Sequence, residues 1–283
     1  MRDLREVCRE KIVVAAHRGA SGGNIPCNTM AAYEIAYRQG ADMLEIDLNM
    51  TADGQLIIFH PRMEPAHLGF AGSVRRYTLS QIRDVLRYVN YDRTQTEWTL
   101  CTFDEVLESF GDRCYINVDK FWDYPEEIAH AIRRHGMMDR IVVKASPKAD
   151  VLAALEAVAP DAMFMPIYNG RDREIFSVHE ELKRRNLCYI GAELVFADEA
   201  CDAASPAFRE MLHREGRIAW ANAILYDYRV PLTAGHSDDI SLLRDPALGW
   251  GWLADNGFDI IQTDWVLAMR RYLEESGKRF HRR

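Results

Sequence analysis

Residues 44–61 read LEIDLNMTADGQLIIFHP, and within them Glu45 and Asp47 stand two apart among Leu44, Ile46 and Leu48. The run has the composition of a buried β-strand, in which successive side chains point to opposite faces. Both carboxylates then share one face and the three aliphatics the other. Two acids side by side in that setting repel each other and lose hydration unless a cation or a proton compensates. Asp53-Gly54 is a two-residue hairpin turn signal, and as the turn it sets His60 opposite Asp47. Directly opposed residues share a face, with Cβ atoms about 4.5–5.5 Å apart. The hairpin is therefore expected to fold an imidazole onto the carboxylate pair.

Such a constellation needs a scaffold that holds several strand ends together. Short apolar runs at 11–17, 43–48, 114–119, 140–144, 162–167, 188–194, 217–222 and 258–264 alternate with amphipathic helical patterns. NTMAAYEIAYRQG ends at Gly40 and YPEEIAHAIRRHG at Gly136, each a helix C-terminal signal, while Thr78 to Gln81 and Thr102 to Glu105 are capping-box spacings. Eight parallel-strand candidates with intervening helices predict an α/β fold, a (β/α)8 TIM barrel, formed by residues 1–283 as one domain. The strand at 55–60 becomes a β-hairpin extension after strand 2. Residues 61–101 make too long a connection for a simple loop and are expected to form a small helical cap over the mouth. The stretch 245–256 reads as a short capping helix whose two tryptophans pack on the barrel wall. A barrel places reactive groups at the C-terminal ends of its strands. Those ends offer His17-Arg18, Glu45 with Asp47, Asp119-Lys120, Lys144, Tyr168, Glu193, Asn222 and Asp264-Trp265.

Composition narrows the partners. The 283 residues are 48% hydrophobic, enough for a full core, and the formal charge of −8 provides no basic field for a nucleic acid. No apolar run reaches the length of a membrane span. The first nineteen residues mix charge with a short apolar run and do not read as a signal peptide. Six cysteines show neither a CxxC pair nor metal spacing, so reduced thiols in a cytoplasmic protein are expected.

In its ordered motifs the chain resembles the glycerophosphodiester phosphodiesterases. The resemblance rests on His17-Arg18-Gly19, Pro26-x-Asn28-Thr29, Gly40-Ala41-Asp42-x-x-Glu45-x-Asp47, and Thr51-x-Asp53-Gly54 with Phe59-His60. It resumes in WAN at 220–222 and GFDIIQTDW at 257–265. It implies a TIM barrel holding one divalent cation, with two histidines as acid and base in phosphodiester hydrolysis. By position those histidines are His17 and His60, and the metal carboxylates are Glu45, Asp47 and Asp119. Tyr115, Asn117 and Asp119 share a strand face, so Asp119 is placed to point inward beside Asp47. Two departures stand out: Cys27 replaces the family's Glu, and Phe121 occupies the place of a family Lys, with Lys120 one residue off. Strand parity turns Lys120 outward unless a bulge intervenes, and Lys144, at the end of the next strand, is the other candidate for the inward positive charge.

The chemistry follows from the residue types. Three carboxylates suit Mg2+ or Ca2+, hard cations with oxygen ligands, better than Zn2+. Arg18 offers a fork of donors to phosphate oxygens and Lys144 a point charge. Lys120, Asn28 and Trp265 complete the expected substrate contacts. Two histidines titrating near neutrality can divide the acid and base roles, in an order the sequence leaves open. The expected reaction is metal-dependent hydrolysis of a small-molecule glycerophosphodiester to glycerol 3-phosphate and an alcohol. A lysophospholipase D-type reaction on the same barrel is one alternative, and a degenerate barrel that binds metal or phosphate without turnover is the other.

Overall fold

The computed structural model describes residues 1–170, 174–226 and 229–281. Its strands, in chain order, are β1 (Val13–His17), β2 (Met43–Met50), β3 (Leu56–Ile58), β4 (Tyr115–Asp119), β5 (Ile141–Ala145), β6 (Met163–Asn169), β7 (Gly191–Val195), β8 (Ile218–Asn222), β9 (Leu225–Tyr226), β10 (Val230–Pro231) and β11 (Ile260–Thr263). Eight of them run parallel in the order β1-β11-β8-β7-β6-β5-β4-β2, and β1 also pairs with β2. The sheet therefore closes into the expected (β/α)8 barrel. Strands β9 and β10 form a separate two-stranded ribbon.

Strand alternation splits the core in two. Val14, Ala16, Leu44, Ile46 and Val118 face outward into the layer between sheet and helices. Val13, Met43, Tyr115, Val142, Met163 and Ile260 face inward, where the N-terminal helix Leu4–Glu10 adds Leu4 and Val7 to the same cluster. Apolar side chains thus fill the lower barrel, and the inward positions nearer the mouth carry polar groups. The helices read as their sequence patterns predict. Phe103–Phe110 buries Phe103, Val106, Leu107 and Phe110 on one stripe, each contributing about 1.5–3 kcal/mol over an exposed position. Its capping box at Thr102 and Glu105 is formed, as is that of Thr78 and Gln81, each cap being worth about 1 kcal/mol.

The hairpin departs from its expected register. Gly54 N–H donates to the Thr51 carbonyl at 3.1 Å, Thr51 N–H donates to the Gln55 carbonyl at 3.0 Å, and Gly54 has φ +75°. This is a three-residue loop, a tight turn followed by a left-handed glycine, rather than a two-residue turn. Strand β3 consequently pairs Leu48 with Ile58 and Met50 with Leu56, one residue away from the predicted alignment. Phe59, not His60, bonds across to Asp47, its N–H donating to the Asp47 carbonyl at 3.0 Å. The ladder ends at Ile58, and His60, restricted by the following Pro61, is carried past it and over the mouth.

Residues 61–101 form the expected cap from the short helical turns Glu64–Leu68 and Val74–Arg76 and the helix Leu79–Val85. The cap has its own apolar cluster, in which Phe59 and Ile57 of the hairpin meet Leu68, Val74, Ile82 and Tyr88. Near the C-terminus, Trp250 is fully buried and Trp252 stacks on His236 at 3.7 Å between ring centroids.

Candidate active site

Barrel closure sets the site's geometry. Parallel register puts His17 beside Glu45 and Asp47 beside Asp119. One carboxylate oxygen from each of Glu45, Asp47 and Asp119 lies within 4.8 Å of the others. Asp47 is fully buried and Glu45 nearly so. Asn28 Nδ2 donates to Asp47 Oδ2 at 2.9 Å, and Arg18 Nε lies 2.7 Å from the same oxygen. The Arg18 backbone N–H donates to Glu45 Oε2 at 3.1 Å. Asp47 Oδ1 is buried without a hydrogen-bond partner among the described residues.

These surroundings act on the two acids in opposite directions. Burial, and then the Asp47 charge, pushes Glu45 up to about 7. Burial acts on Asp47 in the same sense, but Arg18, with His60, Lys120 and the Asn28 hydrogen bond, holds its carboxyl below the usual range. A crowded acid that tends to keep its proton and a buried oxygen without a donor mark a pocket short of positive charge. A divalent cation on Glu45, Asp47 and Asp119 answers both, and an all-oxygen donor set fits Mg2+ or Ca2+.

Two imidazoles border the acids. His17 Nδ1 lies 2.8 Å from Asp264 Oδ1. A carboxylate can only accept, so this nitrogen carries a proton. Burial disfavours the imidazolium, but the hydrogen bond and charge of Asp264 outweigh it and raise the His17 pKa. His60 Nδ1 lies 2.8 Å from the Pro61 carbonyl and Nε2 lies 4.0 Å from Asp47 Oδ1. Its Nδ1–H donates to that carbonyl, Nε2 faces the acids, and burial lowers its pKa despite Asp47.

The remaining expected residues fall in varied places. Lys120 does not turn outward. With φ +65° it leaves the strand geometry and folds its amine onto Asp119, and the charges of Asp119, Asp47 and Glu45 outweigh burial to raise its pKa. Lys144 does point inward, yet its Nζ lies 2.6 Å from Glu193 Oε2 and 4.2 Å from the Trp220 ring centroid. Asn222 Nδ2 donates to Glu193 Oε1 at 2.6 Å, and Trp220 Nε1 donates to Asn222 Oδ1 at 2.8 Å. This buried network places Lys144 inside the barrel as the ion-pair partner of Glu193. Asn28, 2% exposed, stands beside Asp47, its Nδ2 bonded to that acid and its Oδ1 accepting from the Tyr33 hydroxyl at 2.8 Å. Trp265 is 54% exposed beside Asp264 at the outer edge of the mouth. Tyr168 packs outward against Phe208. Asp264, one of the strand-end residues given no role from the sequence, emerges as the partner of His17. The signal was topological: a closed barrel sets its last strand beside its first.

The glycerophosphoryl diester phosphodiesterase family model matches residues 17–197. A second model, described as a domain of unknown function, matches residues 164–273; both matches lie on strands of the same closed sheet. A glycerophosphodiester phosphodiesterase of Caldanaerobacter subterraneus is 30% identical over 140 residues, 47% of this chain and 57% of the relative. One from Bacillus subtilis is 31% identical over 144 residues, 46% of this chain and 49% of the relative. The match thus spans about half the length of these curated relatives. A Parabacteroides distasonis glycerophosphoryl diester phosphodiesterase superposes with a TM-score of 0.78 over 99% of this chain and 97% of its own, at 17% identity. An Oleispira antarctica phosphodiesterase solved with the product sn-glycerol-3-phosphate superposes at 0.65 over 93% and 97%, also at 17% identity. With well over half of its length matching the family model, the chain belongs to the glycerophosphoryl diester phosphodiesterase family.

Proposed function

We propose that this protein hydrolyses glycerophosphodiesters to glycerol 3-phosphate and an alcohol, using a divalent cation held by Glu45, Asp47 and Asp119. The observation that carries the reading is the convergence of these three acids between His17 and His60 at the barrel mouth. Family membership, and a fold neighbour solved with glycerol 3-phosphate, support it.

A phosphodiester resists attack because its anionic oxygens repel nucleophiles and its leaving alkoxide is poor. When bound, the cation supplies Lewis-acid stabilisation of charge on a non-bridging phosphate oxygen. Arg18, beside Asp47, adds fixed positive charge for the phosphate, and Lys120 adds more at Asp119. His60, with its Nδ1 proton committed to the Pro61 carbonyl, offers the Nε2 lone pair as the base that takes a proton from the attacking water, whose oxygen forms the new bond to phosphorus as the bond to the leaving oxygen breaks. His17, stabilised as the imidazolium by Asp264, offers its Nε2 proton to the leaving oxygen. The six free thiols, Cys8, Cys27, Cys101, Cys114, Cys188 and Cys201, accord with work in a reducing compartment such as the cytoplasm; among the described residues no helix is long and apolar enough to cross a membrane.

The test is turnover of glycerophosphocholine, glycerophosphoethanolamine and glycerophosphoinositol before chelation, after it, and after readdition of Mg2+ or Ca2+. The reading expects release of glycerol 3-phosphate that chelation abolishes and a cation restores. Full turnover after exhaustive chelation overturns the metal assignment, and no turnover under any condition overturns the activity.

A further inference from the structure

The Asp264 side chain that meets His17 is 47% exposed, so burial does little to hold it in place. Its backbone is held instead. Next to it stands Asp238, the first residue of the helix Asp238–Leu243 and only 3% exposed. The Asp238 backbone N–H donates to the Ala223 carbonyl at 2.7 Å, which ties it to the end of β8. Its carboxylate turns to the end of β11. Oδ2 accepts from the Asp264 backbone N–H at 2.8 Å, and Oδ1 accepts from Thr263 Oγ1 and Trp250 Nε1, each at 2.7 Å. Thr263 Oγ1 in turn accepts from the Trp265 backbone N–H at 2.9 Å.

A buried carboxylate is costly unless donors surround it, and here three donors do. Burial pushes the Asp238 pKa up to about 6 against the pull of those donors, so at pH 8 the group is ionised. A carboxylate can only accept and an indole N–H can only donate, which fixes the direction of every bond in the set. The Thr263 hydroxyl must give its proton to Asp238 and keep a lone pair for Trp265. Both peptide N–H groups that flank the Asp264 Cα are thereby tied to Asp238, one directly and one through Thr263. With the two peptide planes held, so are the Asp264 backbone dihedrals and the direction in which its side chain leaves the chain.

We infer that Asp238 is a positioning residue for the diesterase reaction: through Thr263 and the backbone of residues 263–265 it aims Asp264, and thereby orients the His17 imidazole. The inference rests on the reading of His17 as the acid given above, and adds to it a residue that acts only through Asp264.

The test compares two diesters at pH 8. Glycerol 3-phosphoethanol has a leaving alkoxide that needs a proton, and the nitrophenyl diester of glycerol 3-phosphate departs without one. Asp238→Asn keeps the side chain's size but makes one acceptor oxygen a donor, so the Trp250 and Asp264 N–H groups can no longer both be served. It should lower kcat on the ethyl diester by about 10–100-fold with KM nearly unchanged, since a misplacement of about 1 Å can cost about 10²-fold. The nitrophenyl diester should lose little. Asp238→Asn should also add nothing to the loss in Asp264→Ala, which leaves no carboxylate to aim. Should Asp238→Asn fail to fold, Thr263→Val carries the same test by removing only the hydroxyl link. It should show the same selective loss, and Thr263→Ser should recover most of it. No loss, an equal loss on both diesters, or a loss that adds to that of Asp264→Ala makes these contacts merely structural and overturns the inference. A His17→Ala control impaired only on the ethyl diester leaves the reading of the acid intact in that event. A control impaired equally on both sinks the reading and the inference together.

Discussion

Asp264 reaches His17 across the seam where the last barrel strand meets the first, its Oδ1 lying 2.8 Å from His17 Nδ1. One contact thereby fixes the tautomer, the ring orientation and the charge preference of the proposed general acid.

Asp264→Asn should lower kcat while leaving KM nearly unchanged, because the residue orients a proton donor and does not hold substrate. A loss of about 10–100-fold is the usual scale for removing such an orienting partner. The pH profile carries the more specific signature. Asp264 raises the His17 pKa, and a general acid loses activity as pH rises through its pKa. The alkaline limb of kcat should therefore move to lower pH in Asp264→Asn. A profile that only scales down, with its limbs in place, would make the contact merely structural.

Glu45 predicts how the metal-free protein responds to pH. Its folded pKa, pushed up to about 7 by burial and Asp47, lies above that of an exposed glutamate, about 4.3. The folded state then binds the extra proton between those values, so stability from this group is greatest below the unfolded pKa and is lost as pH rises through the folded one. Thermal midpoints of chelated protein should fall from pH 5 to pH 8. Mg2+ or Ca2+ should restore the midpoint at pH 8, and Glu45→Gln should flatten the dependence. An identical pH slope in Glu45→Gln would remove Glu45 as its source.

Lys144 predicts a stability effect where a substrate contact was expected. It is buried against Glu193, and removing one partner of such a pair strands the other charge, typically at about 3–5 kcal/mol. Denaturant unfolding of Lys144→Met should show a loss of that order, largely recovered in Lys144→Met/Glu193→Gln. A variant as stable as wild type but with raised KM would return Lys144 to the phosphate.

How the sequence conveyed this architecture differs from residue to residue. Val13–His17 and Tyr115–Asp119 were legible because β/α alternation and strand parity are properties of short segments, and parity agreed with the family resemblance in turning Asp119 inward beside Asp47. The hairpin register was not, since Asp53-Gly54 suits both a two-residue turn and the tail of a three-residue loop, and the choice shifts every pairing by one. His60 still reached Asp47 because the chain leaves the ladder before it. Lys120 escaped parity for a different reason: a left-handed φ at the strand's end redirects the side chain, and nothing in the residue type announces it. Asp264 needed the closed sheet, whose seam joins residues far apart in the chain.

The most direct test of the account is the leaving-group dependence of His17→Ala and His60→Ala. Each should lower kcat on a natural glycerophosphodiester by about 10²–10⁴, the usual scale for a lost general acid or base, with smaller changes in KM. A nitrophenyl diester departs without protonation, so it should restore turnover to His17→Ala and leave His60→Ala impaired. Rescue of His60→Ala instead would exchange the two roles. Near wild-type turnover by either variant on the natural diester would contradict the claim that these two histidines, bordering the Glu45–Asp47–Asp119 cluster, perform the reaction.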